Sequence, residues 1–192
     1  MTAVVDFTSV AARRSRRMPS SILWRVWQFV HAIFSRTDHH LDAELRGLLG
    51  DDRQYALLAR LTAFDRAHHL RVYALLREEG VDDDDLLSAA LLHDVGKADD
   101  RGRAHLGHRV VHVLLSRFAR NWLDEMTEAN RGQFWHGMFL TRHHAALGAN
   151  LAHRAGASPR CCYLIAHHDD REAAFDDHDV ALLMIADEAA IR

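Results

Sequence analysis

Residues 82–97 read Asp82-Asp83-Asp84-Asp85-Leu86-Leu87-Ser88-Ala89-Ala90-Leu91-Leu92-His93-Asp94-Val95-Gly96-Lys97. Four carboxylates stand where a helix begins, the end at which the macrodipole favours negative charge. Leu86, Leu87, Ala90 and Leu91 follow at helical spacing, and the helix is expected to stop at Val95-Gly96. Two polar residues, His93 and Asp94, close this apolar helix. Neighbours on a helix point about 100° apart. Both can therefore reach one point in space only near a loosened helix end, which Gly96 allows.

The same helical pattern extends in both directions. Upstream, Leu41–Leu49 is a short helix closing at Gly50. A long helix capped by Asp51 or Asp52 carries the stripe Leu57, Leu61, Phe64, His68, Val72, Leu75 and ends near Gly80. His69 is expected to point away from that stripe with Asp65 and Tyr73. Downstream, helices are expected over Val110–Phe118, Asn121–Trp135, Thr141–Ala155, Pro159–His168 and Asp176–Ile191. Period-2 alternation is nowhere convincing, so no sheet is expected. The reading is an all-α chain without internal repeats or low-complexity segments.

Length and composition agree. The chain has 192 residues, 48% of them hydrophobic, 27% charged, with a formal net charge of -3. Such a chain buries about 70% of its unfolded surface and needs no disulfide or metal to fold. The apolar fraction excludes a fully disordered chain, and the near-neutral charge argues against specific duplex DNA binding. No apolar run approaches the roughly 20 residues of a membrane span. Cys161 and Cys162 are adjacent and cannot pair without strain. They read as free thiols in a reducing cytoplasm, and residues 1–10 carry no secretory signal.

Residues 1–50 are read as a separate N-terminal part, ahead of a domain over 51–192. Arg13, Arg14, Arg16 and Arg17 precede Pro19-Ser20-Ser21, a helix start. Ile22, Leu23, Val26, Trp27, Val30, Ile33 and Phe34 then form one stripe. Residues 13–36 suit either peripheral contact with an anionic membrane or packing on the domain or a second copy of the chain.

The chemistry is carried by polar residues on faces that should be dry. His68 lies in the stripe of its helix. His144 shares a face with Leu147 and Leu151, and His168 follows Cys161, Leu164 and Ile165. Asp187 sits among Val180, Leu183, Met184 and Ile191. A buried unpaired charge is costly, so such residues have partners or a metal. One metal centre would account for all of them, and imidazole with carboxylate suits Zn, Fe, Mn or Ni. Lys97 is the sole lysine among 24 Lys plus Arg. Three residues from Asp94, it suits holding a phosphate oxygen. His105, His108 and His112 share another helical face, read as solvated. A ferritin-like di-iron site would need two acidic-x-x-His motifs, and only Asp65 to His68 supplies one.

The string Leu91-Leu92-His93-Asp94-Val95-Gly96-Lys97 resembles the signature of the HD-domain metal-dependent phosphohydrolase superfamily. His68-His69-Leu70-Arg71-Val72 is similar to its first ligand helix. His144-Ala145-Ala146-Leu147-Gly148-Ala149 and Ile165-Ala166-His167-His168 resemble the histidine motifs of its two-metal members, and Ile185-Ala186-Asp187 its terminal aspartate. The likeness spans about residues 55–192.

The resemblance implies a single HD-domain-like helical bundle with His68, His93, Asp94 and Asp187 as core metal ligands. It implies His144, with His167, His168 or both, for a second ion, bridged by Asp94. One or two divalent ions among Mn, Fe, Zn, Ni and Mg are expected, acting on a phosphomonoester or phosphodiester, a nucleotide foremost, through metal-activated hydroxide. Asp94 and Lys97 are the catalytic candidates, with Arg71 and Arg142 as helpers in substrate binding. After His168 comes Asp169-Asp170-Arg171 without Gly-Tyr-Pro, a departure from the cyclic-di-GMP phosphodiesterase branch. The competing reading is a regulatory module that binds metal and nucleotide without turnover.

Overall fold

The computed structural model describes residues 39–129 and 132–191. The basic run and apolar stripe of residues 13–36 lie outside the described residues. The rest belongs to one compact unit.

Helix α1 (His39–Leu49) ends at Gly50, whose φ of 66° is left-handed and favours glycine. It packs on the domain through the fully buried Leu45, and Asp42 meets Arg66 at 2.8 Å. The domain therefore reaches back to α1 instead of starting at residue 51. The single long helix expected from Asp51 to Gly80 is in fact two, α2 (Asp52–Leu58) and α3 (Ala63–Glu78). Thr62 is the reason. Its Oγ1 accepts from the Asp65 amide at 3.1 Å and donates to Asp65 Oδ2 at 2.6 Å, so a new N-terminus forms.

Helix α4 (Asp84–Leu92) is capped by Asp83, whose carboxylate accepts from the Leu86 amide at 2.8 Å. Leu86, Leu87, Ala89, Ala90, Leu91 and Leu92 are all buried. A helix apolar on every side belongs at the centre, and α3, α8 and α10 pack around it. After α4 the chain makes a 3-10 turn (Val95–Lys97) and then a hairpin of two-residue strands, β1 (Ala98–Asp99) and β2 (Gly102–Arg103). This hairpin departs from the expectation of no sheet. It is too short to leave a period-2 pattern in sequence.

Helices α5 (Leu106–Phe118) and α6 (Arg120–Ala129) lead to α7 (Gly132–Arg154), a 23-residue helix. The helix expected across Asn121–Trp135 is α6 as far as Ala129, and Trp135 belongs to α7. α8 (Pro159–His167) starts with Ser158 accepting from the Cys161 amide, and proline at its first turn. α9 (Arg171–Asp176) and α10 (His178–Ile191) are separated at Asp177. Asp177 Oδ1 accepts from the amides of Asp179 and Val180 at 3.0 and 3.3 Å, and Arg160 clamps the Asp177 carboxylate. The fold is all-α, as expected, and no described helix is long and apolar enough to cross a membrane.

One close approach positions the site. A Cβ on Gly96 would lie 2.1 Å from the His144 carbonyl oxygen and 2.5 Å from the Gly148 amide nitrogen. The turn after α4 thus lies directly against the backbone of α7. That contact brings His93 and Asp94 beside His144.

Candidate metal centre

Four helix segments deliver side chains to one point. His68 comes from α3, His93 and Asp94 from the end of α4, His144 from α7, and His168 from the cap of α8. Asp187 on α10 completes the set. The α4 end loosens as its sequence suggested: His93 keeps helical dihedrals while Asp94 leaves them, with φ -105° and ψ 7°. That change lets adjacent residues face the same centre.

The imidazoles are oriented by backbone carbonyls. Nδ1 of His93 donates to Ala90 O at 3.0 Å, Nδ1 of His144 to Thr141 O at 3.0 Å, and Nδ1 of His168 to Ile165 O at 2.8 Å. A carbonyl can only accept, so Nδ1 carries a proton in each ring, and Nε2 is the nitrogen that would offer a lone pair to a metal. This is the arrangement by which proteins prepare histidines for a metal. His144 Nε2 and His168 Nε2 stand 3.3 Å apart, and they lie 3.3 and 3.8 Å from Asp94 Oδ1. His93 Nε2 lies 3.5 Å from both Asp94 Oδ2 and Asp187 Oδ1. His68 Nε2 reaches Asp187 Oδ1 at 2.7 Å.

These separations fit shared ligation. Two donors each about 2.1 Å from one ion at tetrahedral angles are about 3.4 Å apart. Two groups have all donors within 4.8 Å of one another: His68, His93, Asp94, and Asp94, His144, His168. Buried imidazole and carboxylate of this kind can hold a metal ion, and Asp94 belongs to both groups.

Charge within the cluster is held by its members. Burial works against a charged His93, yet Asp94 and Asp187 push its imidazole up to about 9. Burial likewise opposes ionisation of Asp187, but His68 and His93 hold its carboxyl well below the usual carboxylate range. Lys97 is buried and its ammonium is bound to Asp94 Oδ2. It is thus the counter-ion of the shared carboxylate, not a group projecting toward an incoming phosphate.

Three expected residues stand apart from the cluster. His167 turns to Asp170 Oδ2 at 3.4 Å and to the Tyr163 ring, leaving His168 as the inward member of the pair. The stripe Cys161, Leu164, Ile165, His168 pointed to His168, while the family resemblance left His167 open beside it. Arg142 is exposed and bound to Asp124 of α6, and Arg71 is exposed with its guanidinium 6.0 Å from the Phe64 ring. His143, the neighbour of His144, faces Glu128 at 2.8 Å.

Sequence reading also missed polar residues. His69, expected to face outward, is fully buried: its Nδ1 donates to Leu91 O at 2.6 Å and its ring lies 4.5 Å from that of His93. Helix α3 packs on both α4 and α10, so its buried face is wider than one stripe. The spacing Arg66, His69, Val72, Leu76 carried that signal. Burial, with nearby His93, pushes the His69 imidazole well below its ordinary pKa, so this ring is neutral. Buried His136 meets Asp99 Oδ1 at 2.9 Å and ties α7 to the hairpin.

Comparisons with protein-family models, with characterised proteins and with solved structures found no match to this chain.

Proposed function

We propose that this chain is a metal-dependent phosphohydrolase of the HD-domain kind, hydrolysing a phosphomonoester or phosphodiester, a nucleotide foremost. The observation that carries this reading is the convergence of three imidazole Nε2 atoms, each ring set by an Nδ1–carbonyl bond, around the Asp94 carboxylate. The residues come in the order of that superfamily's ligands. His68, His93, Asp94 and Asp187 would hold one ion, and His144 and His168, with Asp94 between them, a second.

A bound divalent ion supplies Lewis acidity, polarising a phosphoryl oxygen and lowering the pKa of water to about 7. The protein residues divide the remaining work. His93 and Asp94 form a closed floor, with side chains 0% and 3% exposed, whereas Asp187 is 24% exposed and marks the open side. Lys97 neutralises one oxygen of Asp94 and holds it in place, leaving the other directed to His144 and His168. Exposed Asp169 stands 4.0 Å from His144 Nε2 at the rim. Asp187 and Asp169 on the open side repel a phosphate, so bound cations would favour the cluster's receiving such a group.

Elemental analysis of protein purified without chelators, followed by phosphate release from aryl phosphates and a nucleotide panel, tests the reading. At least one transition metal per chain is expected, with turnover falling by more than about 10³-fold in the His93→Ala, Asp94→Ala double variant. Absence of metal, or turnover that survives the double substitution, refutes it.

A further inference from the structure

Helix α5 carries an apolar stripe on the wrong side. Val110, Leu114 and Phe118 recur every four residues and are 51%, 57% and 84% exposed. Trp122, beyond the break at Ala119, is also exposed. Its ring meets Trp135 edge-on, Trp135 meets Phe134, and exposed Phe134 meets His108 of α5. The aromatic groups therefore run continuously from α5 to α6 across the start of α7. An apolar surface of this extent facing water marks a contact site.

The charges around it name the partner. Between Arg101 and Leu123 the chain has five arginines and no carboxylate, within a protein of net charge -3. Of the three acidic residues that follow on α6, Asp124 binds Arg142, Glu128 meets His143 at 2.8 Å and Arg142 at 3.6 Å, and exposed Glu125 is the one against five arginines that forms no ion pair with a described residue. Arg117, one turn beyond Leu114, and Arg120 are exposed and form no ion pair with a described residue. We propose that the α5–α6 face docks on an anionic lipid bilayer, with Leu114, Phe118 and Trp122 entering the headgroup boundary and Arg117 and Arg120 meeting lipid phosphates and carboxylates. Basic residues flanking exposed Leu, Phe and Trp are the composition of interfacial helices. A symmetric pair of copies is the poorer occupant, because a two-fold axis would set each arginine cluster against its own image. Nucleic acid offers no hydrocarbon to take up Val110, Leu114 and Phe118.

Flotation of the full-length chain with vesicles tests this. One set is phosphatidylcholine with about 30 mol% phosphatidylserine, the other phosphatidylcholine alone. The chain is expected to float with the anionic vesicles at roughly 0.1 M salt and to be released at roughly 0.5 M. Leu114→Glu with Phe118→Glu, and separately Arg117→Gln with Arg120→Gln, should each lower partitioning about tenfold or more. All four side chains are exposed, so melting temperatures should stay at the wild-type value. Failure of the wild type to float overturns the proposal. So does flotation of both variants at the wild-type level, which would place binding elsewhere, for instance in residues 13–36. Sedimentation showing a dimer that the Leu114→Glu, Phe118→Glu variant dissolves, without flotation, would assign the face to a second copy and overturn it too.

Discussion

Two regions of this molecule reverse the usual placement of side chains, in opposite senses. At the ends of α4 and α8, imidazoles and carboxylates are buried. Along α5, aliphatic and aromatic groups face water. In the first region much of the desolvation is offset locally: carbonyls take the Nδ1 protons, Lys97 takes one Asp94 oxygen, and His68 takes Asp187. In the second nothing among the described residues covers the stripe, and exposed apolar area forgoes roughly 25 cal/mol per Å². Polar groups satisfied inside make a rigid site that positions chemistry. Apolar groups left outside make a surface whose stabilisation waits for a partner.

The sharpest way to break this comparison is to set single methyl groups added at the buried site against a substitution on the open face. Gly96→Ala would force Cβ into the His144 carbonyl, where backbone meets backbone and neither can rotate away. A loss of more than about 3 kcal/mol, or failure to fold, is expected in urea unfolding. Gly148→Ala meets Gly96 N at 3.2 Å and Ile165 Cγ2 at 3.3 Å, contacts that need only a few tenths of an ångström of relief. It should cost about 1 kcal/mol. Changing Phe118 to Ser, a larger chemical change on the open face, should stay within about 0.5 kcal/mol. Equal stability of Gly96→Ala and wild type would mean that the turn is not wedged against α7.

A finer test concerns His69, which links the helix bearing His68 to the end of α4 without reaching the centre. An asparagine amide can stand near the Nδ1 position and donate to Leu91 O, whereas a glutamine amide stands nearer Nε2. On the metal reading, His69→Gln should weaken metal affinity about 10–100-fold, as supporting hydrogen bonds generally do. His69→Asn should lie close to wild type in the same calorimetric titration. Identical affinities for the two variants would reduce His69 to packing.

The smallest effect is one of pH. His93 is raised from its ordinary 6.5 to about 9, so in metal-free protein it is protonated at neutral pH. A group raised in the folded state contributes stability that is fully present below about 6.5 and lost as pH rises through about 9. Metal-free protein should therefore melt progressively lower across that window. Ligation needs the neutral ring, so metal binding should release a proton at pH 7 and tighten as pH rises. Calorimetry in buffers of different ionisation enthalpy counts that proton, and a count of zero would contradict the charged His93.

Much of this was legible in the residues. His68, His144, His168 and Asp187 stand out in the sequence as polar groups on apolar faces, His93 and Asp94 as polar residues closing an apolar helix, and they do meet. That works because a helix face is a periodic property of one segment and can be read without its neighbours. Reading failed where a side chain or a second neighbour decided. Thr62 splits a continuous apolar stripe by capping, and Asp177 does the same before α10. His69 lay off the chosen stripe because α3 has two packing partners. Lys97 was placed correctly beside Asp94, but its ammonium turned inward to the carboxylate instead of out to a substrate.

Periodicity and composition alone determined an all-helical chain with inward histidines and aspartates, since both follow from local spacing and from the cost of burying polarity. The order in which α3, α4, α7, α8 and α10 close around Asp94 depends on contacts between residues far apart in the chain. Only the tertiary structure decided that His167 stays out of the cluster that His168 joins, a pairing the resemblance left open, and that α5 turns its apolar stripe to water. Those outcomes rest on the angle of each helix end and on which neighbour covers which face, and local sequence does not encode either.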